Sequence, residues 1–486
     1  MVRQKKFYIT TPIYYINDRC HIGHAYTTVI ADILARWHRL KGEDVFFLTG
    51  TDENSQKTVQ AAKKLAFSST EKFADHMAEE WKKAWQVLNI SNNDFIRTTE
   101  ERHAKLVTEL IKKVEKKGDT YLGNYKGLYC EGCEEFKTKD DLVNNLCPYH
   151  KKEPKEINEE NYFFKLSKYE KELLELLEKN KDFAQPESRR NEIINFIKSG
   201  LKDISISRQS LVWGIPYPND SKQRVYVWFD ALANYLHPKK YWPADLHLVG
   251  KEIIKFHCII WPAMLISADY KLPKKIFAHG FFTINGEKMS KTLGNVVDPI
   301  FLVNKYGVDA LRYFYAREIP FGQDGDFSEV SLKTRLNNEL ANELGNLLSR
   351  TLTLVEKNLD SEIKKDKTED KLFKILNVKK LDEFMEDLEP NNAIAGIFGF
   401  IQECNRYVNE KEPWKIEDKK ELNKILYNLT DALRIIAILI QPFMPSTSEK
   451  INNQLNLKLG NLKDCQPGLL KGTKINKGEI LFKKLE

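Results

Sequence analysis

Residues 7–52 read FYITTPIYYINDRCHIGHAYTTVIADILARWHRLKGEDVFFLTGTD. Phe7 to Thr11 is a short β-rich run, and Val45 to Leu48 is a continuous apolar strand ending in Thr49-Gly50-Thr51-Asp52. Between them, from Ala25 to Leu40, apolar residues recur at helical spacing (Val29, Ile33, Leu34, Trp37) up to Gly42. The alternation continues outward. Gln56–Leu65 and Glu71–Leu88 read as helices, Phe95-Ile96 as strand and Glu100–Lys117 as helix. Strands alternating with helices predict an α/β fold with a parallel sheet covered on both faces.

The pattern breaks at Gly118. Glycines at 118, 123 and 127 with aromatics between them predict short antiparallel strands. A cysteine cluster, a Lys/Glu-rich stretch (Lys151–Glu160) and helices near Lys168–Asn180 and Arg190–Gly200 follow. Strand-helix alternation resumes at Val225-Tyr226-Val227-Trp228 and at Leu246–Gly250. From Ser331 onward the periodicity is helical, led by the stripe Leu332, Leu336, Leu340, Leu344, Leu347 and Leu348, which predicts a helix bundle. The expected organisation is therefore a Rossmann-like domain in two halves (1–115 and 226–270), an insertion (116–225), a following segment (271–330) and an all-α region (331–486). Lys364–Lys371 reads as a solvated turn.

With 486 residues, about three domains are expected. The 42% hydrophobic and 30% charged fractions exclude a disordered or fibrous chain. The difference of 76 basic and 69 acidic residues is +7, which permits an anionic partner without demanding one. No apolar run is long enough to span a bilayer, and Met1–Thr10 lacks the apolar core of a secretory signal, so no membrane association is expected. Seven cysteines, three of them crowded together, fit a reducing cytoplasm and one local metal site.

Three patterns carry chemistry. His21-Ile22-Gly23-His24 opens the first helix, where free N–H groups form an anion site and Gly23 lets a ligand approach the backbone. Lys288-Met289-Ser290-Lys291-Thr292, preceded by Asn285-Gly286 and followed by Gly294, reads as a mobile loop with two ammonium groups suited to a polyphosphate. Cys130-x-x-Cys133 and Cys147-x-x-His150 are two paired-ligand knuckles 13 residues apart, the donor set of a closed structural zinc site.

The two phosphate motifs, in this order and about 265 residues apart, resemble the HIGH and KMSKS signatures of the class I aminoacyl-tRNA synthetases. Thr10-Thr11-Pro12-Ile13-Tyr14-Tyr15, Val227-Trp228-Phe229-Asp230-Ala231-Leu232, and Phe256-His257 with Trp261-Pro262-Ala263-Met264 narrow the resemblance to the methionyl-tRNA synthetase family, over essentially the whole chain. The resemblance implies a methionine site at Ile13, Tyr15, Asp52, Trp228, Ala231, Leu232, Tyr235, Ile253 and His257. It implies ATP contacts at His21, Gly23, His24, Gly250, Glu252, Lys288 and Lys291, with His21, Gly23, His24, Lys288 and Lys291 also serving catalysis. It places the zinc knuckle in the insertion and makes the helical region an anticodon-binding domain.

There Asn346-x-x-x-Arg350, Pro413 and Trp414 would read a CAU anticodon, although by position alone Trp414 reads as core. The implied partners are L-methionine, ATP with Mg2+, and tRNA(Met). The reaction is formation of methionyl-AMP followed by transfer to the 3′-terminal ribose. Several residues depart from the usual pattern: Asn54-Ser55 for His-Gly, Glu252 for Asp, Thr292 for Ser and Asn409 for Asp. The chain ends soon after the bundle, with no room for an appended dimerisation domain, so a monomer is expected. Two competing readings are a nucleotidyltransferase acting on a small molecule and a non-catalytic tRNA-binding relative. The helical region opposes the first, and the intact His21, His24, Lys288 and Lys291 oppose the second.

Overall fold

The computed structural model describes residues 4–130, 135–137, 141–148, 151–284, 286–288 and 295–485, with backbone only at 125, 135, 136, 287 and 288. Its centre is a six-stranded sheet. Strand β1 (Lys6–Tyr15) leads through helix α1 (Ile22–Leu40) to β2 (Asp44–Asp52). Helices α2 (Gln56–Lys64) and α3 (Thr70–Val87) precede β3 (Asp94–Arg97), and α4 (Glu101–Lys116) follows it. Later strands are β4 (Ala184–Gln185), β5 (Leu246–Gly250) and β6 (Ile276–His279). The order is β3-β2-β1-β5-β6-β4, and every neighbouring pair is parallel. Strand order reverses at β1, so a crevice opens at the C-terminal ends of β1 and β5, where open parallel sheets bind ligands.

Strand β1 runs past the predicted Thr11. Pro12 cannot donate to the ladder, and the register with β2 shifts between Thr10 and Ile13 before pairing resumes as Ile13↔Gly50 through Tyr15↔Asp52. The bulge carries Ile13 and Tyr15 to the crevice. At Gly50 an added Cβ would lie 2.0 Å from the Ile96 carbonyl oxygen, so only glycine lets β2 and β3 approach this closely.

The segment after Gly118 differs from its reading. Instead of several short strands, one long strand, Thr120–Cys130, pairs antiparallel with Lys155–Phe164, and Glu135–Lys137 and Ile204–Ser205 complete a four-stranded sheet. The Lys/Glu-rich sequence is compatible with a strand because Lys155, Glu156, Asn158 and Glu160 lie exposed along it. Val225–Trp228 also departs from expectation. The strand stops at Val225, and helix α5 (Val227–Ala231) begins at once, buried on every side. Period alone cannot tell a short buried apolar strand from a short buried helix.

The C-terminal region is helical as predicted. A helix (Glu329–Arg335) passes through a π-helical stretch (Leu336–Gly345) into α7 (Asn346–Asn358), and the leucine stripe is buried throughout. Helices α8 (Pro390–Lys411) and α9 (Lys419–Ile440) pack with it, and α10 (Pro445–Leu455) packs on α9. Among the described residues no helix is long and apolar enough to cross a membrane.

The six-stranded sheet and this bundle share one apolar core, joined through helix α6 (Val308–Arg317). At the joint, fully buried Arg312 of α6 donates to Asp32 Oδ2 of α1 at 2.7 Å and to the carbonyls of Pro442 and Phe443 between α9 and α10 at 2.9 and 3.0 Å. Arg36 Nε donates to the same Asp32 oxygen at 2.7 Å. Burial pushes the Asp32 carboxyl up, but the Arg312 and Arg36 guanidiniums outweigh it and hold the group below its ordinary value. Removing one partner of such a pair strands the other charge in low dielectric. Asp32→Asn is therefore expected to cost about 3–5 kcal/mol of stability, measured by urea denaturation. A change below about 0.5 kcal/mol, usual for surface substitutions, would show that the joint contributes nothing.

Candidate active site

Several of the predicted residues lie at one end of the sheet, beside the crevice. His21 is the N-cap of α1, with extended backbone (φ −122°, ψ 172°). Its Nδ1 accepts from the Gly23 N–H at 3.1 Å, while His24 Nδ1 accepts from the His21 N–H at 3.3 Å. The two rings stack, centroids 3.6 Å apart. This reciprocal box corrects the expectation of free N–H groups. Those of His21 and Gly23 are occupied by imidazoles, and that of Ile22 by the Val297 carbonyl at 3.1 Å.

The same bonds fix the chemistry of the rings. With each Nδ1 accepting, the proton of each neutral imidazole sits on Nε2, a donor suited to an anionic oxygen. Burial, with the neighbouring His21 ring, holds the His24 pKa well below its usual value, so it stays neutral. Trp81 packs its edge on His24 and its face on Tyr14, a support that sequence periodicity did not single out.

Asp52 ends β2 opposite Tyr15 and is nearly buried. Trp228 and Ala231 lie on α5, and Leu232 and Tyr235 on the 3₁₀ turn that continues it. Ile253 and His257 come from the segment after β5, His257 within a π-helical turn (Phe256–Ile260). The Tyr235 hydroxyl and His257 Nε2 are 2.7 Å apart, and His257 Nδ1 lies 2.9 Å from the Ile253 carbonyl. That carbonyl can only accept, so Nδ1 carries the proton and the tyrosine donates to Nε2. Trp228 stacks on Phe256 at 3.5 Å with its edge toward His257. These groups form an apolar, aromatic wall with one oriented hydroxyl.

Gly250 closes β5, and Glu252 folds back over it. A Cβ added at Gly250 would fall 2.4 Å from Glu252 Oε2. The longer Glu side chain thus folds back over the glycine backbone. Lys288 pairs through its backbone with Thr283 in a hairpin turned at Gly286 (φ 76°). Its side chain, and Met289 to Gly294 including Lys291 and Thr292, lie outside the described residues.

Two further clusters lie away from the crevice. Cys130 and Cys147 are buried, whereas Cys133 and His150 lie outside the described residues. Among the described residues no three metal-binding side chains gather. In the bundle, Arg350 Nη2 donates to Asn409 Oδ1 at 3.0 Å and its guanidinium lies 5.4 Å from the Trp414 ring. Trp414 is 49% exposed, which overturns its reading as core. Asn346 is exposed one turn before Arg350, while Pro413 is buried.

The model of the family "tRNA synthetases class I (M)" matches residues 7–157 and 138–352, and that of "Anticodon-binding domain of tRNA ligase" matches 376–482. The methionine–tRNA ligase of Caldanaerobacter subterraneus subsp. tengcongensis is 48% identical over 99% of this chain and 79% of its own length. That of Thermotoga maritima is 44% identical over 99% and 80%. The chain belongs to the methionine–tRNA ligase family. Within it, the fold matches Mycobacterium tuberculosis methionyl-tRNA synthetase in complex with methionyl-adenylate at a TM-score of 0.94, 39% identity, 99% of this chain and 100% of that one. The apo form of that enzyme gives 0.86, at 36% identity over 100% and 99%. The family's class I catalytic fold and helical anticodon-binding domain are the two regions joined at Arg312.

Four buried histidines share one electrostatic condition. Burial holds His257 and His279 down to about 4, and His24 and His247 well below the usual value. The unfolded chain takes up protons at these positions near pH 6.5, and the folded chain does not. Their stability contribution is therefore complete above about pH 6.5 and is lost as pH falls toward 4, by up to ~1.4 kcal/mol per pH unit for each group. Unfolding free energy should fall measurably between pH 7 and pH 5 in urea titrations. Equal values at the two pH would contradict the buried neutral histidines.

Proposed function

We propose that this chain activates L-methionine with ATP, forming methionyl-AMP and pyrophosphate, and transfers the methionyl group to the 3′-terminal ribose of tRNA(Met). The observation that carries this reading is the convergence, at the C-terminal ends of β1, β2 and β5, of the paired His21 and His24 rings, Asp52, the Gly250–Glu252 turn and the Trp228–Tyr235–His257 wall.

In the first step a methionine carboxylate oxygen attacks the α-phosphorus. One P–O bond forms as the bond to pyrophosphate breaks. In-line displacement of this kind is accelerated mainly by positioning and charge stabilisation. Asp52 pairs with the methionine ammonium, beside the Ile13 backbone and Tyr15. Trp228, Ala231, Leu232, Tyr235, Ile253 and His257 surround the thioether, a polarizable weak acceptor that favours aromatic edges. His21 and His24 donate Nε2–H to phosphate oxygens, while Gly250 and Glu252 hold the nucleoside. Lys288 and Lys291 neutralise charge growing on pyrophosphate, and Mg2+ arrives with ATP. In the second step a terminal ribose hydroxyl, the 2′-hydroxyl by class membership, attacks the adenylate carbonyl and AMP departs.

Asn346, Arg350, Pro413 and Trp414 read the CAU anticodon in this proposal. The support is the half-exposed Trp414 ring beside Arg350, an aromatic platform next to a guanidinium with donors for base edges. Cys130, Cys133, Cys147 and His150 hold one structural zinc. Two buried thiols in a stretch dominated by charged and polar residues fit that donor set. The enzyme works as a cytoplasmic monomer.

The test measures methionine-dependent ATP–pyrophosphate exchange without tRNA, and aminoacylation of a CAU-anticodon tRNA, on the native chain and on Trp414→Ala. The native chain should catalyse both. The variant should lose about 5- to 150-fold in aminoacylation, the equivalent of the ~1–3 kcal/mol of one base stack, while keeping exchange and melting temperature. Absence of exchange in the native chain would refute the function. Exchange and aminoacylation falling together with the melting temperature would remove Trp414 from anticodon recognition.

A further inference from the structure

Asp230 sits between Phe229 and Ala231 on α5 and has no exposed surface, yet it lines neither the ATP nor the methionine contacts proposed above. Two donors from separate elements meet its carboxylate. His103 Nε2, from α4, is 2.6 Å from Oδ1, and Asn54 Nδ2, from the end of β2, donates to Oδ2 at 2.8 Å. The same Asn54 amide donates to the Thr98 carbonyl at 3.0 Å. His103 is itself fully buried, and its Nδ1 lies 3.4 Å from His237 Nε2.

Position gives this network its consequence. Asn54 stands two residues beyond Asp52, and Asp230 two residues beyond Trp228. On the other side of the same strand end, the Glu53 carboxylate accepts from Arg97 Nε at 2.8 Å and Thr51 Oγ1 at 2.7 Å, and the Glu53 carbonyl accepts from Trp213 Nε1 at 2.8 Å. The two residues that follow Asp52 are thus both anchored, Glu53 to β3 and Asn54 to α5. The two walls of the pocket come from sequence regions about 175 residues apart, and Asn54–Asp230 is a direct hydrogen bond between them.

We propose that Asn54, Asp230 and His103 are positioning residues that clamp the aromatic pocket helix to the strand end bearing Asp52, and so set the affinity for methionine. This rests on the assignment of Asp52 and Trp228 to the methionine pocket. It also accounts for the departure at 54–55. Asn54 supplies the amide donor that bridges Asp230 and Thr98, and the Ser55 hydroxyl caps α2 by accepting from the Thr58 N–H at 3.3 Å. A buried carboxylate facing two donors is satisfied. An amide in its place turns an N–H₂ toward one of them and loses that bond.

The test compares Asp230→Asn, Asn54→Ala and Asn54→His, which restores a ring N–H donor, in tRNA-independent pyrophosphate exchange. KM for methionine, KM for ATP, kcat and melting temperature are measured on each. The clamp predicts a tenfold or larger rise in KM for methionine in Asp230→Asn and Asn54→Ala, with KM for ATP within twofold, and partial recovery in Asn54→His. If Asp230→Asn does not fold, the Asn54 pair decides. Unchanged KM for methionine, or equal rises for methionine and ATP that track the melting temperature, would overturn the clamp. No methionine-dependent exchange in the native chain would instead refute the pocket assignment, and the clamp with it.

Discussion

The parallel pairing of β1 with β2 on one side and β5 on the other is the constraint on which the rest depends. Because strand order reverses at β1, the connections leaving β1 and β5 diverge, and a crevice forms at their C-terminal ends. Three of the groups proposed for phosphate, ammonium and nucleoside sit at or a few residues past a strand end: His21 after β1, Asp52 at the end of β2, Glu252 after β5. The Pro12 bulge adjusts β1 as it enters this region. A one-residue slip would turn Ile13 and Tyr15 to the other face of the sheet.

Two buried polar joints hold this arrangement from different sides. Asp32 with Arg312 ties the back of α1 to the segment between α9 and α10, and Asp230 with His103 and Asn54 ties the pocket helix to β2. Both sit where apolar packing alone would let elements slide, because a hydrocarbon contact has no preferred register. Neither is a strong net stabiliser relative to a well-packed apolar substitute, since desolvation offsets most of the attraction. Their value lies in geometry: a half-satisfied alternative arrangement is costly, so few arrangements compete. The neutral, buried histidines follow the same logic, oriented by backbone and hydroxyl partners, as His257 is by Ile253 and Tyr235.

Much of the architecture was legible in the sequence, because β1, α1 and β2 carry strong, distinct periods and the leucine stripe marks the bundle. The site motifs were legible where spacing itself encodes geometry, as at His21–His24. Other features have no local signature. Asp32 and Arg312 are 280 residues apart, and His103 and Asp230 are 127 apart, so only the folded chain brings them together. Val225–Trp228 misled because β-branched and aromatic residues suit a buried helix turn as well as a strand. Position alone would have put Trp414 in the core, because a tryptophan in a helical region usually packs inward, whereas here it faces solvent beside Arg350. The occupied amides of the α1 N-terminus were also invisible, since a histidine cap differs from an ordinary one only in its hydrogen bonds.

A crystal structure of the chain with a non-hydrolysable methionyl-adenylate analogue tests the central claim most directly. The account predicts density across the crevice between β1 and β5: the ammonium at Asp52, the thioether against Trp228 and Tyr235, the phosphate beside His21 and His24, and the ribose at Glu252. Density elsewhere, or an analogue that leaves this crevice empty while binding the chain, would contradict it.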